Sequence, residues 1–340
     1  MKHIFDLLEL IIPEGINSLK TRYLILECIS YQQPVGRRVL AIQTQISERI
    51  LRAETEIMKK MGLIESSALG MKVTYKGQSV LDELFSNMQD LKCLSHLEEK
   101  LKQKLYLRKA TIVPGNVDES HTTKIQLGKA AAFLLENLLS DCQTIALTGG
   151  TTVEHMVRAM PKIHNHYDDL IIVPARGSIG GKVELQANTL VAKLAEKLNA
   201  NYLHLHLPDN LSQETINSIK KEPQVQKTLQ KVEKTDIIIF GIGNALTMAK
   251  RREVPSEVFN LLQQNGAVSE VLGYYFDAQG TTIYSQATIG IDLEKALLIE
   301  NRIAIAGGES KAAAIFSACN TIKGSYLITD EGAARAILAL

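Results

Sequence analysis

From about residue 105 onward, short apolar runs alternate with stretches in which apolar positions recur every three or four residues. The runs lie at 110–113, 144–147, 170–173, 202–207, 236–240, 302–306 and 326–329. Short apolar runs separated by helical patterns predict βαβ units and a parallel sheet. The stretch "GYYFDAQGTTIYS" (273–285) departs from that rhythm, with two strand-like runs around "DAQG". It predicts a hairpin. The second part of the chain therefore reads as a doubly wound, Rossmann-like α/β domain with a small β-excursion.

Before residue 105 the pattern is helical, with one β-like patch. The stretch "VGRRVLAIQTQISERILRAETEIMKKMGLI" (35–64) reads as a helix from Arg37 to about Gln43, a turn over 44–46 and a second helix. Ser47 is placed to cap that second helix through its hydroxyl, and Met61-Gly62 ends it. On a helical wheel Ile50, Leu51, Ile57, Met58 and Met61 fall on one side, and Arg49, Arg52, Glu56, Lys59 and Lys60 on the other. Then "LIESSALGMKVTYKG" (63–77) places two β-type runs around a Ser-Ser-Ala-Leu-Gly turn, as a wing follows a recognition helix. A longer helical pattern, "SVLDELFSNMQDLKCLSHLEEKLKQKL", spaces Leu81, Leu84, Met88 and Leu91 by three and four. It fits a short dimer seam or a connector packed on its own chain.

Charge sharpens the picture locally. The 340-residue chain carries a formal charge of +1, yet residues 34–76 hold eight Lys/Arg and four Asp/Glu. Nucleic acid must then be met by this patch and not by the molecule as a whole. A recognition helix enters the major groove, where arginines pair with guanine edges or phosphates. Arg37, Arg38, Ser47, Arg49, Arg52 and the wing's Lys72 are the candidate DNA contacts. Length predicts about two domains, at 1–88 and 89–340. The four cysteines, Cys28, Cys93, Cys142 and Cys319, form no CxxC pair, which favours a reducing compartment over a zinc site. The N-terminus lacks a signal-peptide core, and no apolar run reaches membrane-spanning length. A soluble, cytoplasmic protein without membrane attachment is expected, with neither metal nor resident cofactor.

Four glycine-bearing loops stand just after predicted strands: "TGGTT" (148–152), "PARGSIGG" (174–181), "GIGNA" (241–245) and "AGGESK" (306–311). In an open α/β sheet such loops gather at the carboxyl edge, where ligands bind. Glycine lets backbone N–H groups approach an anion, and the following helix turns its positive end toward it. Neither a Walker pattern nor a dinucleotide fingerprint is present. The chemistry suits a sugar phosphate or small phosphometabolite. Two cationic clusters, Thr151/Thr152/Lys311 and Arg176/Arg251, suit two phosphates.

Catalysis would need a general base beside the sugar carbons. Glu270, Asp330 and Glu331 are the available carboxylates, and His204 and His206 in "YLHLHL" could share a strand face, as a metal pair or as ordinary buried histidines. "HNHYDD" (164–169) reads as a hydrophilic connection. No loop offers a compact acid–base set. An attached DNA-binding module favours a sensor over the alternative, a sugar-phosphate isomerase with a regulatory helical domain.

The motifs "GRRVLAIQTQISERILR", "ALTGGTT", "VPARGSIG", "IGNALTMAKRR", "GYYFDAQG", "IAGGESKAAAI" and "ITDEGAA" together resemble the SorC/DeoR-like family of bacterial sugar-sensing transcriptional repressors. The likeness runs over essentially the whole chain from about Thr21. It implies a winged helix-turn-helix domain joined to an effector domain related to sugar-phosphate isomerases. It also implies repression of a glycolytic operon that includes glyceraldehyde-3-phosphate dehydrogenase, fructose-1,6-bisphosphate as inducer, and a homo-dimer or dimer of dimers on operator DNA. Matching positions put one phosphate on Gly150, Thr151, Thr152 and Lys311 and the other against Arg176 and Arg251, with Gln186 and Glu270 near the sugar.

Overall fold

A computed structural model describes residues 11–340 apart from 45, 68, 92–93, 142, 164–166, 178–181, 206–212 and 288; of residues 13, 16, 17, 20, 82 and 85–91 only the backbone is described. The chain divides into two compact units, residues 1–95 and 96–340.

The first unit is built on helix α1 (Pro13–Gln32), followed by α2 (Arg37–Thr44) and α3 (Glu48–Lys60). Strands β1 (Ile64–Ser67) and β2 (Gly70–Val73) form an antiparallel hairpin, and α4 (Tyr75–Leu91) follows. Ser47 caps α3 as its position predicts, its hydroxyl accepting from the Ile50 N–H at 3.4 Å. At the other end of α3 the Lys76 ammonium donates to the carbonyl of Met61 at 3.0 Å, satisfying a terminal acceptor.

The core of this unit gathers Tyr23, Ile25, Leu26, Ile29, Leu40, Leu51, Met58, Ile64, Met71 and Leu81. The wheel reading of α3 needs one correction. Ile50 and Met61 are each 49 % exposed, and the inward stripe is Leu51, Thr55 and Met58. Thr55 is tolerated inside because its hydroxyl donates back to the Leu51 carbonyl at 2.7 Å. The 3-4-3 leucine pattern of α4 also resolves in part. Leu81 and Leu84 pack into their own unit's core, whereas the side chains of Met88 and Leu91 lie outside the described residues. The helical pattern beyond them belongs to a separate element, α5 (Leu94–Lys104).

The second unit carries a seven-stranded parallel sheet: β3 (Lys109–Val113), β4 (Thr144–Leu147), β5 (Ile171–Pro174), β6 (Asn201–Tyr202), β7 (Ile237–Gly241), β12 (Asn301–Ile305) and β13 (Tyr326–Asp330). Their order across the sheet is β3-β13-β12-β7-β4-β5-β6. From β4 the chain winds outward through β5 to β6, then returns to β7 on β4's other flank. The loops after β4 and β7 therefore part at a topological switch point, the place where open α/β sheets form a crevice.

Six of the seven predicted strands form as expected. The seventh, 202–207, pairs only over Asn201–Tyr202. The reason is a buried asparagine: the Asn188 side chain takes the Leu205 N–H at 2.9 Å and gives an N–H to the Leu205 carbonyl at 3.0 Å. The backbone groups that would continue the ladder are used up by that amide. Residues 206 and 207 lie outside the described residues.

The β-excursion is larger than the sequence suggests. Strands β8 (Gly243–Asn244), β9 (Ser269–Val271), β10 (Tyr274–Phe276) and β11 (Thr282–Ser285) make a four-stranded antiparallel sheet. The predicted hairpin, β10 with β11, is its outer half. Two helices crowd each other on the main sheet, α6 (His121–Glu136) and α7 (Thr151–Ala159), and Gly128 makes this possible. A Cβ there would sit 2.6 Å from the backbone carbonyl of His155.

Candidate functional site

The crevice at the switch point is a cleft of about 860 Å³, its open mouth included. The loop after β4 supplies Thr148, Gly149, Gly150, Thr151 and Thr152. The loop after β5 supplies Arg176 and Gly177, and the segment from β7 supplies Gly241, Ile242 and Gly243. Gln186, Arg251, Arg252, Glu270, Leu272 and Lys311 complete much of the wall. All eight candidate ligand residues thus line one cleft: Gly150, Thr151, Thr152, Arg176, Gln186, Arg251, Glu270 and Lys311. The part of "PARGSIGG" at 178–181 lies outside the described residues.

Local chemistry explains why each group sits where it does. Gly150 is the N-cap of α7 at φ 130°, a backbone that side-chain-bearing residues rarely adopt. It leaves the first N–H groups of α7 facing the cleft with no side chain competing for them. Gly149 is squeezed instead: a Cβ there would lie 2.5 Å from the carbonyl of Leu185. That carbonyl also receives the Gly150 N–H at 2.9 Å, so the loop is pinned to the 3-10 turn Val183–Leu185. Gln186 follows the turn, half-buried, at the N-cap of α8 (Ala187–Leu198). A Cβ on Gly241 would come within 3.2 Å of the Thr152 hydroxyl oxygen, which shows how closely the two loops approach.

Lys311 ends the 3-10 turn Glu309–Lys311, just before α14 (Ala312–Thr321). Its ammonium donates to the Ile242 carbonyl at 3.3 Å, across to the loop after β7. Burial holds this lysine below its usual range; Asp118 pulls the other way, while Lys124 and Arg251 add to the lowering.

The cleft also carries a charge cluster that sequence reading only half sees. Arg251, the last residue of α11 (Ala245–Arg251), is exposed, while its neighbour Arg252 is buried. Arg252 Nη2 donates to Glu270 Oε1 at 2.8 Å, and Arg176 Nη1 lies 3.8 Å from the same oxygen. Periodicity cannot choose between adjacent arginines; only the tertiary turn after α11 does. Lys182 at the mouth was likewise unmarked by any motif. Counting lining side chains among the described residues, five cations (Arg176, Lys182, Arg251, Arg252 and Lys311) face one carboxylate.

The other carboxylates considered for acid–base work are occupied elsewhere. Asp330 is fully buried and accepts from the N–H groups of Val117, Gly308 and Ala333 at 2.7, 2.9 and 2.8 Å. Glu331 pairs with Arg335 at 2.7 Å. Neither lines the cleft. His204 stacks edge-on with Tyr202, and His206 lies outside the described residues. Among the described residues no cluster of metal-ligating side chains forms.

Comparison with known proteins decides what kind of molecule surrounds this cleft. Residues 89–339 match the family described as "Putative sugar-binding domain", and residues 18–88 match the "CggR N-terminal DNA binding domain". The chain is 38 % identical over 339 residues to the central glycolytic genes regulator of Priestia megaterium, covering 99 % of each. It belongs to the family of central glycolytic genes regulators.

The fold agrees with that membership. A SorC family transcriptional regulator from Enterococcus faecalis superposes with a TM-score of 0.68 at 36 % identity, covering 72 % of this chain and 99 % of that one. The full-length sorbitol operon regulator SorC from Klebsiella pneumoniae shares the fold over 94 % of this chain and 97 % of its own, with a TM-score of 0.68 at 21 % identity. A central glycolytic genes regulator is a DNA-binding transcriptional regulator and not an enzyme, so the isomerase alternative falls. In the first unit Arg37, Arg38, Ser47, Arg49, Arg52 and Lys72 are all exposed, the state a DNA contact requires. Among the described residues no helix is long and apolar enough to cross a membrane.

Proposed function

We propose that this regulator represses a glycolytic operon in the cytoplasm and that fructose-1,6-bisphosphate, held in the cleft of the second unit, weakens its hold on operator DNA. The observation that carries this reading is the cleft's charge and shape. Backbone N–H groups at a helix start, a half-buried lysine and several arginines line it together. One phosphate of a bisphosphate fits the Gly150, Thr151, Thr152 and Lys311 side. The second fits Arg176 with Arg251 or Arg252, with Gln186 and Glu270 toward the sugar hydroxyls.

On the DNA side, α3 lies in the major groove and offers Arg49 and Arg52, with Arg37, Arg38, Ser47 and Lys72 toward phosphates. Two copies or a dimer of dimers present two such helices to an operator. The sugar acts only by binding one arrangement of the assembly better than the other. Calorimetric titration of the full chain with fructose-1,6-bisphosphate and fructose 6-phosphate tests the two-anion cleft. The bisphosphate is expected to bind at least tenfold tighter; equal affinities would remove the second subsite.

A further inference from the structure

The arginine side of the cleft contains its own anion. Glu270 Oε1 accepts from Arg252 Nη2 at 2.8 Å and from the Gly273 N–H at 2.6 Å, and it lies 3.8 Å from Arg176 Nη1. Arg176, Arg252 and Glu270 are 4 %, 6 % and 4 % exposed. The turn between β9 and β10 locks this group. Leu272 and Gly273 both sit at positive φ, 52° and 82°, and a Cβ on Gly273 would land 2.2 Å from Arg176 Nη1. The same tight turn thus presses on one arginine and donates its N–H to the carboxylate.

We propose that Glu270 is a built-in counter-anion that restrains this side of the cleft, so that free phosphate is held back and only an anion tethered to a second anchor fills it. For the tether the proposal rests on the sugar-bisphosphate reading; for the counter-anion it rests on the three side chains alone. Two guanidinium groups and one carboxylate leave these three residues with one net positive charge. In a desolvated wall each charge acts strongly on its neighbours. A phosphate arriving beside the arginines meets Glu270 as a like charge and must compete with it for Arg252. A sugar whose other phosphate is already held at α7 offers its second phosphate at a high effective concentration and overcomes that competition. Free phosphate has no such help. Glu270 is in this sense a selectivity residue. A purely structural carboxylate would make the opposite prediction, since its loss would only disorder the arginines.

The test is titration of the full chain with inorganic phosphate, comparing wild type with Glu270→Gln. Glutamine keeps an oxygen for the Gly273 N–H and for Arg252 and removes the charge. Phosphate is expected to bind at least tenfold tighter to Glu270→Gln, with the gain abolished in Glu270→Gln/Arg252→Gln. Unchanged or weaker phosphate binding by folded Glu270→Gln overturns the proposal, and so does a gain that survives loss of Arg252. Should the amide variant fail to fold, Glu270→Asp serves: with its charge retained it is expected to bind phosphate within threefold of wild type, and a tenfold gain there overturns the idea. Fructose-1,6-bisphosphate titrated into the wild type separates the two levels. If it does not bind, the sugar-phosphate reading fails, while the phosphate comparison still judges Glu270.

Discussion

The Lys311 ammonium donates to the carbonyl of Ile242 in the neighbouring loop after β7, 3.3 Å away, and is held there below its usual proton affinity by burial. An anion arriving at α7 restores the lysine's charge, so binding takes up a proton once the pH exceeds the free protein's lowered value. Affinity should therefore fall as pH rises through that lowered value toward the ordinary lysine value of about 10.4. A sugar phosphate is itself a dianion only above about pH 6, which bounds the window from below. Calorimetry at alkaline pH in buffers of different ionisation heat should show proton uptake in the wild type and none in Lys311→Met. Equal behaviour of the two proteins would remove Lys311 from the site.

Arg49→Ala and Arg52→Ala should each weaken operator binding by about 1–3 kcal/mol if they make base contacts. Both side chains are exposed on α3, outside the Leu51, Thr55 and Met58 stripe, so helix content and melting temperature should hold. Wild-type affinity in both variants would place the DNA elsewhere.

Operator affinity should also drop steeply with salt. Lysines and arginines at phosphates release counterions, each adding roughly 0.9 to the log–log slope. The eight basic residues of 34–76 motivate this. A flat response between low and physiological ionic strength would contradict a phosphate-anchored complex.

Gly128 links stability to the ligand. Alanine there pushes a Cβ against the His155 backbone and must displace α7, whose start faces the cleft. Overpacking of this kind costs about 1–3 kcal/mol. Gly128→Ala should lower the urea midpoint and weaken sugar-phosphate binding together. Loss of stability with unchanged binding would show that α7 stays in register.

Much of the cleft was legible because its loops carry their own signature. Thr-Gly-Gly-Thr-Thr after an apolar run marks a strand end and an exposed helix start whatever surrounds it. The same holds for Ser47, whose cap depends on neighbours three residues away. What stayed hidden depends on distant partners. Arg252, not only Arg251, faces the cleft because α11 stops one residue earlier and Glu270 waits on a strand eighteen positions on. The short β6 follows from Asn188, a polar residue inside a helix that nothing local connects to Leu205. Thr55, not Ile50, lies on the buried face of α3, a placement set by packing within the unit and made tolerable by the hydroxyl's bond to the Leu51 carbonyl.

The measurement closest to the central claim is operator binding by the wild type and by Lys311→Ala as fructose-1,6-bisphosphate is added. The sugar should weaken the wild type's grip on the operator and be recovered chemically unchanged. Lys311→Ala should bind the operator normally but need about ten- to a hundredfold more sugar, the value of a charge-assisted hydrogen bond of roughly 1.5–3 kcal/mol. Thr152→Ala should shift the response less, since the N–H groups of its loop remain. Operator affinity indifferent to saturating sugar, or a sugar converted to product, would contradict the account.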